Sequence, residues 1–164
     1  TKTAIDGGYK CTCTSPTLKD GSHTISVKAS DNDGNAAAAK TATFTVDTVP
    51  PTLQITAPSN GLITNKKTVT VSGKTDDVSS KPVTVTVNGA TVTVGTDGTF
   101  TKDVTLAEGA NTITIVAKDK AGKTTTVTRK VTVDTSAPEI KSVTLTPNPV
   151  DCGKTFIIAV EITD

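Results

Sequence analysis

The stretch Glu108-Gly109-Ala110-Asn111-Thr112-Ile113-Thr114-Ile115-Val116-Ala117-Lys118-Asp119 decides the fold, because an earlier stretch repeats its pattern. That copy is Asp20-Gly21-Ser22-His23-Thr24-Ile25-Ser26-Val27-Lys28-Ala29-Ser30-Asp31. Each copy opens on an acidic residue and a glycine, alternates branched apolar with polar side chains, and ends on an aspartate. Alternation of period two places Ile113 and Ile115, and likewise Ile25 and Val27, on one face of a strand. Working outward, Gly34 matches Gly122, Val46-Asp47-Thr48 matches Val133-Asp134-Thr135, and Pro51 matches Pro138. Self-similarity at a period of about 88 residues marks a repeat architecture.

The repeat predicts three units. Residues 49–136 form one complete unit, residues 1–48 the C-terminal part of a preceding one (strands C to G), and residues 137–164 the first two strands (A and B) of a following one. The Asp-Thr-x-x-Pro segments are the joints, where proline fixes φ and ends a ladder. Within the complete unit, short alternating bursts punctuated by Gly, Asn, Asp and Pro predict seven strands of a sandwich. They fall at 52–56, 67–73, 83–88, 90–94, 99–106, 111–118 and 124–133. Val69, Val71, Val83, Val85, Val87, Ile113, Ile115, Val131 and Val133 should face inward. Asn88-Gly89 is a strong hairpin signal, since both turn positions tolerate positive φ. Asp97-Gly98 and Ala121-Gly122 mark further turns. Arg129 falls in phase with inward Val127 and Val131, which predicts a bulge there.

Composition agrees with this reading and narrows function. Thr fills 36 of 164 positions and Val 19, while aromatic residues are 2% and Met and Trp are absent. Branching at Cβ suits a pleated sheet. Scarce aromatic and bulky side chains argue against a substrate cleft. No apolar run approaches the roughly 20 residues of a membrane helix. A net charge of +1 leaves no electrostatic footprint for nucleic acid. Three cysteines do not make a disulfide scaffold; Cys11 and Cys13 are too close along a strand for an unstrained bridge. With no initiator Met, signal peptide or lipidation motif, Thr1 reads as an internal residue of a longer polypeptide. Catalysis is not expected: His23 is the sole imidazole, and its repeat counterpart is Asn111.

The strings Asp97-Gly98-Thr99-Phe100, Val104 through Ile115, and Ala117-x-Asp119-x-Ala121-Gly122 resemble the bacterial immunoglobulin-like tandem repeats of surface adhesins and of accessory modules beside secreted glycosidases. Asp6-Gly7-Gly8-Tyr9, Ser15-Pro16 and Asp31-x-x-Gly34-Asn35 resemble a sister family of the same fold. One departure is Lys123, where those repeats commonly carry Asn. The resemblance implies an extracellular or cell-surface array of all-β, immunoglobulin-like sandwiches acting as spacers, stalks or adhesive modules beside neighbouring repeats. The same sandwich hosts unrelated activities, so it specifies fold better than role. An accessory carbohydrate-binding module is the alternative. It needs an exposed aromatic platform, and of Tyr9, Phe44, Phe100 and Phe156 most alternate inward.

In such a topology the turns after strands B and F gather at the end where the chain enters. Asp47 in the joint, Asp76 and Asp77 after strand B, and Asp119 after strand F should converge at the first junction. Asp134 and Asp164 hold the equivalent positions at the second. Calcium takes six to eight oxygen ligands, so three carboxylates with carbonyls and water suffice. The resemblance implies joints rigidified in this way. The competing reading is that these aspartates only cap turns. Asp31-Asn32-Asp33-Gly34-Asn35 lacks the distal Glu of an EF-hand loop and reads as a hairpin turn. Finally, the incomplete outer units are complementary. Strands from one end could complete the sheet at the other, giving a head-to-tail filament, against the simpler reading of a cut from a longer array.

Overall fold

The computed structural model describes residues 1–6, 8–146, 148–149 and 152–164. Every named element is a strand, and no helix is long and apolar enough to cross a membrane. The strands are β1 (Lys2–Ile5), β2 (Gly8–Cys11), β3 (Gly21–Val27), β4 (Lys40–Val46), β5 (Thr52–Ala57), β6 (Leu62–Thr64), β7 (Thr68–Asp76), β8 (Thr84–Val87), β9 (Ala90–Val92), β10 (Thr99–Thr105), β11 (Gly109–Lys118), β12 (Thr124–Val133), β13 (Glu139–Thr146) and β14 (Ile157–Thr163). Elements β5 to β12 build a sandwich of two sheets. One has the order β10-β7-β5 and the other β6-β12-β11-β8-β9.

The core follows from the period-two pattern. Val69 and Val71 of β7 and Phe100 of β10 come from one sheet. Val85, Val87, Ile113, Ile115, Val131 and Val133 come from the other, and all are buried. Leu53, Ile55 and Val83 are partly buried against them. The intervening threonines carry the outer faces. Asn88 and Gly89 have φ of 48° and 81°, as a two-residue hairpin with the strand twist requires. Gly98, at φ 82°, tucks beneath β7 so closely that a Cβ there would lie 2.1 Å from the Thr75 carbonyl oxygen. Any side chain at position 98 therefore meets strain and collision together.

Two expectations need correction. β6 was absent from the predicted strands; it is three residues long and pairs in parallel with β12, Leu62 opposite Val131. No bulge forms at Arg129: β11 and β12 pair without interruption, Ile113 opposite Arg129. The residue is accommodated instead by hydrogen bonding. Its Nε donates to the Pro58 carbonyl at 3.1 Å and Nη2 to the Ile55 carbonyl at 3.2 Å. The guanidinium thus ties β12 to the end of β5 in the facing sheet, satisfying carbonyls that the pairing leaves open.

The outer segments form two-stranded sheets: β1 with β2, β3 with β4, and β13 with β14. β3 and β4 repeat the geometry of β11 and β12. Gly21 lies opposite Val46 as Gly109 lies opposite Val133. Cys11, Cys13 and Cys152 are all free and exposed.

Candidate metal centre at the first joint

Asp47 leaves the end of β4, Asp77 follows β7, and Asp119 follows β11. The sandwich brings these three sequence-distant carboxylates together, with one oxygen from each lying within 4.8 Å of the others. All three side chains are buried, Asp47 at 8% exposure and Asp77 and Asp119 at 5% each.

Local backbone geometry holds each carboxylate by one oxygen. Asp77 Oδ1 accepts the Ser79 and Ser80 amides at 2.8 Å each. Asp119 Oδ1 accepts the Lys123 amide at 2.8 Å, across the turn closed by the Gly122 amide on the Asp119 carbonyl. Asp47 Oδ1 accepts the Val49 amide at 3.1 Å and the Ser79 hydroxyl at 3.4 Å. These are Asx-type turns, as the competing reading expects. They leave the second oxygens of Asp47 and Asp119 buried with no hydrogen-bond partner. A loop contact fixes the arrangement: the Ala121 amide donates to Ser80 Oγ at 2.9 Å and the Lys120 amide to the Ser80 carbonyl at 3.2 Å.

Turn chemistry accounts for the paired oxygens and not for the orphaned ones. Two ionised carboxylates about 4.8 Å apart repel by on the order of 3 kcal/mol at an effective dielectric of about 20. Among the described residues no lysine or arginine forms an ion pair with any of the three. Lys81, the nearby cation, pairs with Asp76 at 2.8 Å instead. A cation with metal–oxygen distances of about 2.4 Å can touch two oxygens as far apart as about 4.8 Å. The hard oxygen donors and their spacing fit calcium.

The other candidates are placed differently. Asp76 points outward at the end of β7, and its pairing with Lys81 holds its carboxyl below the usual carboxylate range. Asp134 is exposed and accepts the Ser136 amide at 3.0 Å, while Asp164 is exposed at the last residue. Among the described residues neither joins a group of three carboxylates. Asp31 tethers Asn35 through both oxygens, by the Asn35 amide and by its side-chain nitrogen, each at 2.8 Å. His23 sits on the outside, with Nε2 2.7 Å from the Lys19 carbonyl and its ring stacked on Phe44.

A second feature of the joints went unread in the sequence. Thr48 Oγ1 donates to Asp20, and at the next joint the Thr135 amide and hydroxyl donate to the two oxygens of Glu108, both at 2.8 Å. The signal was present: an acid–glycine pair and an Asp-Thr pair recur together in both repeats. Hydrogen bonds from the Thr135 amide, then from its hydroxyl, hold the Glu108 carboxyl below its ordinary value. A lowered folded-state value gives stability above the ordinary glutamate range that is lost as pH falls through the folded value. Thermal unfolding between pH 6 and 3 should therefore be less acid-sensitive in Glu108→Gln than in the native chain; identical slopes would refute the latch.

Residues 1–48 match the family described as bacterial Ig-like domain, and residues 51–135 match glucodextranase, domain B. Bacillopeptidase F of Bacillus subtilis (strain 168) is 34% identical over 140 residues, which is 85% of this chain and 9% of that protein. The chain thus spans a small part of that relative. Among solved structures, fibronectin(III)-like modules of Clostridium thermocellum CbhA align at 21% identity and TM-score 0.42, covering 71% of this chain and 64% of that one. A tetra-tandem repeat from the extending region of a large adhesion protein aligns at 24% identity and TM-score 0.44, covering 88% and 46%. With more than half of its residues inside one family match, on an all-β sandwich bounded by two joints, the chain belongs to the glucodextranase domain B family of Ig-like modules.

Proposed function

We propose that this chain is a non-catalytic spacer within an extracellular bacterial protein, and that calcium bound by Asp47, Asp77 and Asp119 stiffens its first joint. The observation that carries this reading is the pair of buried, unpartnered oxygens on Asp47 and Asp119, which face a third buried carboxylate. Asp47 belongs to the segment leaving β4, and the other two to the following sandwich. A shared cation would therefore fix one unit against the next. In the same joint, the Thr125 hydroxyl donates to the Pro51 carbonyl, holding the linker to β12. The match to Ig-like and glucodextranase modules supports a role beside, rather than in, an active site.

The carbohydrate-binding alternative draws no support from the aromatic residues. Phe100 is in the core, and Tyr9 is exposed but has Lys2 Nζ 3.8 Å above its ring. Small-angle X-ray scattering in calcium and in chelator tests the spacer role. A single extended shape in calcium that becomes a broader distribution on chelation is the expected result. Identical profiles in both buffers would refute a cation-stiffened joint.

A further inference from the structure

The two ends of the chain carry the two halves of one core, each left open. In the complete sandwich, Val69, Val71 and Thr75 of β7 are buried beneath Phe100, Ile113 and Ile115. The repeat places Phe156, Ile158 and Ile162 at the β7 positions, and Tyr9, Ile25 and Val27 at the positions of the facing residues. Phe156, Ile158 and Ile162 are exposed, and so are Tyr9, Ile25 and Val27. Apolar side chains in inward phase thus stand uncovered at both ends. The strands beside them are edges: β14 pairs with β13, and β2 pairs with β1. In the complete sandwich the counterpart of β14, which is β7, also pairs with the counterpart of β2, which is β10.

We propose that the β13–β14 hairpin of one copy of this chain docks onto β2, β3 and β4 of a second copy, reproducing between molecules the packing that β5 and β7 make within the complete sandwich. The internal repeat identifies the occupant, because the chain contains both the face and the hairpin that fits it. Each large apolar side chain carries roughly 60 to 120 Å² of apolar surface at about 25 cal/mol per Å². With two newly paired strand edges, the faces reach the scale of about 1,000 Å² that a specific interface buries. Val160 replaces Gly73, where a Cβ would lie 2.8 Å from the Phe100 ring. The counterpart ring, Tyr9, already lies against Lys2. Because the contact is head to tail, it propagates rather than stopping at a dimer.

Docking also gathers charges. Asp134 and Asp164 are the repeat counterparts of Asp47 and Asp77, and Asp31 is the counterpart of Asp119. The Asp31 turn copies the Asp119 turn bond for bond: the Gly34 amide donates to the Asp31 carbonyl at 3.3 Å and the Asn35 amide to Asp31 Oδ1 at 2.8 Å. Three carboxylates from two copies would meet where the first joint has its own three, so calcium should strengthen association; this clause rests on the cation reading above.

Sedimentation velocity across a concentration series in calcium is the test. The native chain should form a concentration-dependent ladder above its 16.7 kDa monomer. Ile158→Asp destroys the hairpin face and Ile25→Asp the receiving face, each at an already exposed position. Each variant alone should stay monomeric, and an equimolar mixture should form a dimer and go no further. A native chain that stays monomeric at its highest soluble concentration, or a mixture that does not dimerise, overturns the proposal. The two readings fail separately. Monomeric Ile25→Asp that still binds one calcium while the native chain does not associate removes the docking alone. Association in a chain that binds no calcium removes the cation alone.

Discussion

Millimolar calcium raises the melting temperature of this chain by roughly 10 °C or more over its value in chelator. A ligand present at 100 times its dissociation constant stabilises the state that binds it by about 2.7 kcal/mol. For a domain of 60–100 residues, each kcal/mol moves the midpoint by about 4–8 °C. The variant carrying Asp47→Asn and Asp119→Asn supplies the discriminating sign. Asn keeps the turn-capping oxygen and removes the charge, so the variant in chelator should melt at or above the native chain, because mutual repulsion among buried carboxylates is relieved. In calcium it should melt lower. Differential scanning calorimetry in both buffers reads the crossing. If the aspartates served only as turn caps, the two curves would keep the same order with and without calcium.

The second large effect is in the core. Ile113→Ala removes a fully buried side chain from β11, where it faces Val69 and Val71 across the two sheets. Truncations of this kind cost about 2–5 kcal/mol, the lost transfer energy plus the cavity left behind. The chain has few large side chains with which to collapse around the gap, since its core is largely valine. The expected loss is roughly 10 °C or more of melting temperature, with the circular dichroism of the remaining sheets retained. A shift within a degree or two would mean that the two sheets do not share one packed interior.

The alternation that fixed the strands also held more information about the site than its first reading used. Val69, Val71 and Thr75 all turn inward, and continuing that phase past the end of β7 puts Asp77 inward and Asp76 outward. The sequence therefore distinguished the two adjacent aspartates by parity, although both were taken as candidates. The convergence of Asp47, Asp77 and Asp119 was legible because it follows from topology, which the repeat revealed. The orphaned oxygens were not, since they depend on which lone pairs the turns of Ser79, Ser80 and Lys123 leave free. β6 escaped notice because three residues give too short a run for periodicity to register. Arg129 misled for a related reason: a charge in an inward phase suggested a broken register, whereas the carbonyls of Ile55 and Pro58 satisfy it within an intact ladder. The aromatic residues at the ends were correctly assigned to the inward phase, yet Tyr9, Phe44 and Phe156 stand exposed because the opposite half of each core is elsewhere.

Cation binding at the first joint is the central claim, and isothermal titration calorimetry of calcium into the chain tests it most directly, at concentrations where the chain is monomeric. The account predicts one calcium per chain in the native protein, and none in the variant carrying Asp47→Asn and Asp119→Asn. Calcium heats that are absent from the native chain, or that persist unchanged in the variant, would contradict it.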